Sequence, residues 1–187
     1  NHKNTLAMIR AIKKAKLRYA ICYEDQTIGH LIQAKKVKGS GGIKHGLEVM
    51  RYLANNCFSD PSYVRVAGRP LLLVFGPQFF EDGQMKEICD GVNPSPLLYA
   101  LPHLVGKANA DGAFGWPPVS GGKEINPDKW NLYLDQLYLP KSESRRPIAT
   151  VFPQFHDYYQ EGEGRPSFGS ISSQGGKTMT ATIQRAW

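Results

Sequence analysis

The chain contains no apolar run near the roughly 18 residues that a membrane-spanning helix needs, and no signal peptide is visible at its start. It does not begin with Met, which leaves processing or truncation open. Its three cysteines, Cys22, Cys57 and Cys89, have neither CxxC spacing nor an even count, so they read as buried thiols rather than as a metal site or a disulfide framework. His2, His30, His45, His103 and His156 form no HxxxH or HExxH pattern, and no metal or cofactor is expected. There is no GxSxG elbow for a Ser-His-Asp hydrolase. There is also no GxGxxG or GxxxxGK[ST] turn of the kind that announces a nucleotide site in an open doubly wound sheet. Gly39, Gly41 and Gly42 read as a loop cluster only.

What is present suits a globular protein. At 187 residues, 41% of them hydrophobic, the chain can bury a core, and residues 1–187 read as one partial domain. The formal net charge of +7 comes from one end. Residues 1–44 hold ten Lys and Arg against Glu24 and Asp25 alone. On the first helix Arg10, Lys13, Lys14 and Lys16 surround Leu6, Ile9, Ile12 and Leu17, the pattern of an amphipathic helix with a solvated basic face. An acidic partner for this face is the sharper alternative. Nucleic acid is not favoured, because no base-stacking aromatics are interleaved with the lysines.

The most informative stretch is 68–80. Leu71, Leu72, Leu73, Val74 and Phe75 are too few for a helix and lack polar alternation, which predicts a strand buried on both faces. Gly76 and Pro77 end it and turn Gln78, Phe79 and Phe80 outward. Shorter strands are predicted over 17–23, 96–101, 111–115 and 148–152, with helices over 45–56, 84–89, 128–139 and 178–187. Asn126 and Pro127 supply a cap and a first-turn proline for the third of these helices, and 28–44 reads as a polar loop. Apolar strands alternating with helices indicate an α/β fold with a parallel sheet. A closed barrel of this kind needs eight strands and about 250 residues, so five strands would be an incomplete one.

Four segments carry a resemblance. Cys22-Tyr23-Glu24-Asp25-Gln26-Thr27, Gly68-Arg69-Pro70-Leu71-Leu72-Leu73-Val74-Phe75-Gly76-Pro77-Gln78, Asp111-Gly112-Ala113-Phe114-Gly115-Trp116-Pro117-Pro118 and Phe152-Pro153-Gln154-Phe155-His156-Asp157 resemble glycoside hydrolase families 71 and 99. The resemblance implies an incomplete (β/α)8 TIM barrel covering roughly strands three to seven. It further implies a secreted, extracellular or lumenal glycosidase that acts on an α-linked glycan or polysaccharide. The catalytic carboxylates would then follow strand eight, beyond Trp187. Partners would be a carbohydrate and the missing barrel segments or further domains of the same protein.

The residues support a sugar site on their own chemistry. Glycoside hydrolysis uses two carboxyl groups, about 5 to 5.5 Å apart for retention and about 6.5 to 9.5 Å for inversion. Glu24 and Asp25 are neighbours at a strand end and would point to opposite sides, so one of them faces a site. Asp25 is read either as a hydroxyl acceptor or as the cap of a loop. Gln78 and His103 are suited to sugar hydroxyls or, equally, to loop carbonyls. Trp116, mounted between Gly115 and Pro117, is a stacking platform or a core residue. His156, Asp157 and Tyr158 crowd one loop and favour binding. Because parallel strands place their C-terminal ends on one side, Asp25, Gln78, His103, Trp116 and His156 are expected at one cleft. A non-catalytic carbohydrate-binding or structural barrel and an anion-binding module using the basic end remain as alternatives.

Overall fold

The computed structural model describes residues 2–138 and 147–186 and divides the chain into two compact units, Asn1–Gly112 and Ala113–Trp187. Among the described residues no helix is long and apolar enough to cross a membrane.

The first unit is organised on β3 (Arg69–Val74). It lies between β1 (Ile21–Tyr23) and β4 (Leu97–Ala100), parallel to both, with Tyr23 opposite Val74 and Val74 opposite Ala100. Gly112, which opens β5 (Gly112–Ala113), is next in the strand order. A short β2 (Arg65–Val66) runs antiparallel to β3 through a turn in which Ala67 and Gly68 both have positive φ. Side chains alternate along each strand. Leu72, Val74, Leu98 and Ala100 therefore enter a core with Met50 and Leu53 of α3 (Gly42–Leu53) and with Met85, Ile88 and Cys89 of α4 (Gln84–Asp90). Cys22, Leu73 and Tyr99, in register with one another, share the opposite face. A one-turn helix, α5 (Val105–Ala108), follows β4.

The 28–44 region departs from the expected loop. It contains α2 (Gln26–Gln33), a 3₁₀ turn at Gly39–Gly41, and the first residues of α3, which starts at Gly42. The reason lies in packing. Ile28 is fully buried, and a Cβ on Gly42 would come within 2.7 Å of the Phe79 ring. Glycine here is a close-approach residue inside helical structure, not a loop marker. The first helix, α1 (His2–Lys14), has no fully buried residue. Ile9 and Ile12 pack on the core, whereas Leu17 lies past the helix and is exposed. Cys57 and Cys89 are buried as expected, but Cys22 is exposed on the edge strand β1.

The second unit is built on α6 (Pro127–Tyr138) and α8 (Lys177–Ala186), with α7 (Tyr159–Glu163) and an antiparallel pair, β6 (Phe155–His156) and β7 (Ser170–Ile171). Asn126 caps α6 by accepting from the Asp128 amide at 2.8 Å, as its sequence suggests. Leu139 and Trp187, placed in the expected helices, lie outside the described residues. The core holds Trp130, Leu134, Phe152 and Ile171. The expected strand over 148–152 is reduced to one parallel bridge, Ile148 to Phe114. Its backbone is met by side chains instead. The Tyr138 hydroxyl accepts from the Thr150 amide at 3.0 Å, and the Thr182 hydroxyl accepts from the Phe152 amide at 3.4 Å. These bonds stand where a ladder would otherwise form.

Two substitutions check this packing. Tyr63 is buried, donates to the Leu71 carbonyl at 2.7 Å and accepts from the Ile21 amide at 3.1 Å, so it joins the start of β1 to β3. Tyr63→Phe should cost about 1 to 3 kcal/mol in denaturant unfolding, because a buried carbonyl and a half-buried amide lose this partner. An unchanged midpoint would mean that water replaces the hydroxyl. A Cβ on Gly46 would lie 2.7 Å from the Phe80 ring and 2.9 Å from Ile88, so Gly46→Ala should destabilise by about 1 to 3 kcal/mol despite its better helix propensity.

Candidate functional site

Parallel pairing brings the C-terminal ends of β1, β3 and β4 to one edge of the first unit's sheet. The residues that follow them are Glu24 and Asp25, then 75–80, then 101–103. Glu24, Asp25, Gln78 and His103 thus share one rim in this unit. Trp116, His156, Asp157 and Tyr158 belong to the second unit.

On the rim, Glu24 is exposed and its carboxylate accepts from Gln26 Nε2 at 3.2 Å. Asp25 has no exposed surface. Its oxygens accept from the amides of Gln78 at 2.9 and 3.0 Å, Phe79 at 2.7 Å and Phe80 at 2.9 Å. Of the two readings of Asp25, loop holding is the one these bonds support, and the loop held is the one after β3 rather than its own. A carboxylate so enclosed does not reach a sugar hydroxyl in this conformation. Gln78 is exposed, with Nε2 3.3 Å from the Phe75 carbonyl. His103 is exposed on the 3₁₀ turn Pro102–Leu104 that follows β4.

In the second unit Trp116 is 43% exposed, and its amide donates to the Tyr133 hydroxyl at 3.3 Å. That exposure fits a platform better than a core residue. A Cβ on the preceding Gly115 would lie 2.6 Å from Thr150 and 2.7 Å from Leu137, which holds the backbone close to its neighbours. His156, at the end of β6, has Nε2 2.8 Å from Glu161 Oε1 and its ring centroid 4.2 Å from that of Tyr158. Tyr158 is 64% exposed and sits at φ 54°, an uncommon conformation for a large side chain. Asp157 explains how that turn is held, since it accepts from the amides of Tyr159 and Phe168. Desolvation acts to raise the Asp157 carboxyl, but these amides, the Ser167 hydroxyl and nearby His156 outweigh it and leave it below the usual carboxylate range. The Glu161 carboxyl is held low mainly by its bond to His156.

Two neighbours of this hairpin escaped the sequence reading. The guanidinium of Arg165 lies 4.5 Å over the Tyr159 ring, and Phe168, largely exposed, meets Tyr159 edge to face at 5.7 Å. The close sequence Arg165-Pro166-Ser167-Phe168 was the available signal. Open concavities flank the Gly121–Gly122 turn of the same unit. One, of about 460 Å³, is lined by Pro118, Ser120, Lys123, Asn126 and Lys129, and the other, of about 320 Å³, by Gln160, Arg165 and Ser167. Both mix polar and apolar surface, and each has the volume of a small ligand site.

No protein-family profile matches the chain, and no curated protein sequence matches it. Two solved structures of a GH99 endo-α-mannosidase from Bacteroides thetaiotaomicron are similar. One, in complex with bis-tris-propane, shares 16% identity over 77% of this chain and 48% of its own, with a TM-score of 0.54. The other shares 15% identity over 77% of this chain and 45% of its own, with a TM-score of 0.52. The chain spans about half the length of these proteins. At this identity the likeness speaks for architecture: the chain has the α/β fold of part of a TIM barrel, as found in GH99 glycosidases.

Proposed function

We propose that this chain forms part of the substrate-facing rim of a glycoside hydrolase-type barrel that binds or acts on an α-linked glycan or polysaccharide. The observation that carries this reading is the alignment of the β1, β3 and β4 C-terminal ends at one edge, with Glu24, Gln78 and His103 directly after them. In (β/α)8 enzymes the site is assembled from loops at that end of the strands. The similar solved structures are of an endo-α-mannosidase, which makes an α-linked glycan the first class to try.

In this reading Gln78 and His103 contribute binding, and Asp25 supplies no acid–base chemistry. Asp25 is committed to amides, Glu24 is paired with its own neighbour Gln26, and the exposed Glu81 and Asp82 lie farther along the loop after β3, beyond the 75–80 turn. The acids of a hydrolase would come from the rest of the barrel. A rim that holds sugar without cleaving it fits the same residues. Intact protein assayed for hydrolysis and for binding of α-manno- and α-gluco-oligosaccharides separates these readings.

Trp116 tests the platform. In the intact protein Trp116→Ala should weaken oligosaccharide binding by about 1 to 3 kcal/mol, the scale of stacking on an aromatic ring. The melting temperature should change little, because the side chain is already 43% exposed. A core role would instead cost about 3 to 5 kcal/mol of folding free energy with sugar affinity retained, and that result would reject the platform. Ionic strength discriminates against an anionic partner for the basic end. Neutral glycan binding should barely move between about 50 and 200 mM salt, whereas several phosphate contacts would make affinity collapse by about a thousandfold or more.

A further inference from the structure

The buried carboxylate of Asp25 has a consequence for the neighbouring loop. Taking a carboxylate out of water is costly unless its oxygens are met by donors. Among the described residues no lysine, arginine or histidine forms a salt bridge with Asp25. Among the described residues, the donors to its side chain are three successive amides, of Gln78, Phe79 and Phe80. Such a run of converging N–H groups is an anion-binding concavity of the backbone, here filled by a side chain that lies two residues past the adjacent strand β1.

The same loop is clamped sterically. A Cβ on Gly76 would stand 2.5 Å from Asp25 Oδ1 and 2.9 Å from the Gln78 amide nitrogen. The Phe79 ring fills the space where a Cβ of Gly42 would be, and the Phe80 ring does so at Gly46. Phe80 is fully buried and Phe79 half-buried, whereas Gln78, bracketed by these anchors, is exposed. We infer that Asp25 is a positioning residue: through the amides of 78–80 it holds the loop after β3 so that Gln78 is presented, preorganised, to a glycan hydroxyl. This rests on the glycan-binding reading of the rim. It moves the role of Asp25 from contact with the ligand to control of the residue that makes the contact. A side chain whose backbone is fixed from both strands loses little freedom on binding.

The experiment uses the intact protein and the variants Asp25→Asn, Gln78→Ala and their combination. Two quantities are read: amide hydrogen exchange at 78–80, and affinity for α-manno- and α-gluco-oligosaccharides by calorimetry. Asp25→Asn keeps the volume but sets an amide donor among three others. Exchange at Gln78, Phe79 and Phe80 should rise by about tenfold or more while α3 stays protected. Affinity should fall as far as in Gln78→Ala, with the double variant no weaker than the worse single one, as expected for residues acting as a unit. Unchanged exchange at 78–80 overturns the positioning role. So does full sugar affinity in folded Asp25→Asn when Gln78→Ala has lost it, or additive losses in the double variant. Should Asp25→Asn not fold, Gly76→Ala keeps the carboxylate but displaces it. It should reproduce both effects, and wild-type exchange and affinity in that variant overturn the proposal. Binding of no oligosaccharide by the wild type defeats the glycan reading and the role of Gln78, while the exchange result judges the Asp25 clamp by itself.

Discussion

The first unit depends on the burial of one strand between two parallel neighbours. Residues 71–74 of β3 offer nothing polar from their side chains, so both faces must be covered and both backbone edges paired. β1 and β4 meet the edges, and α3 with α4 covers the face made by Leu72 and Val74. Once those pairings are in register, the strand ends fall at one level. The loops that begin there are rim loops for that reason alone.

Close approach then decides details that propensity does not. α3 carries Gly42 and Gly46 on the side that meets the Phe79 and Phe80 rings, and both positions leave no room for a Cβ. The aromatic pair after β3 and the glycines of the helix are two halves of one contact. Asp25 completes it from just past the end of β1, because its carboxylate satisfies amides that the tight turn turns inward. Helix, loop and strand end are thus fixed together, and Gln78 is left as the outward polar group.

The second unit solves its backbone accounting differently. Hydroxyl groups of Tyr138 and Thr182 take up the polar groups of 150 and 152, and the aromatic hairpin around His156 and Tyr158 is tied by the Asp157 carboxylate. In both units a carboxylate placed beside a strand end accepts successive or nearby loop amides. Acidic residues at such ends read equally well as ligands for sugar and as ligands for backbone. A charged hydrogen bond from an amide is stronger than a neutral one, so the backbone competes well for a carboxylate that is out of water.

The α/β class, the central strand, the Gly76–Pro77 stop, the cap at Asn126 and the rim positions after the strands were legible in the residues, because apolar runs, prolines and capping side chains act through local geometry. The helix at Gln26–Gln33, the shortening of 148–152 to one bridge and the exposure of Cys22 were not. Each turned on which partner came within contact distance: an aromatic ring against a glycine, a hydroxyl against a strand amide, or an edge against solvent. The role of Asp25 belongs with them. Its sequence neighbours allow it to face a ligand or a loop, and only the arrival of three amides from a segment more than fifty residues away decided between them.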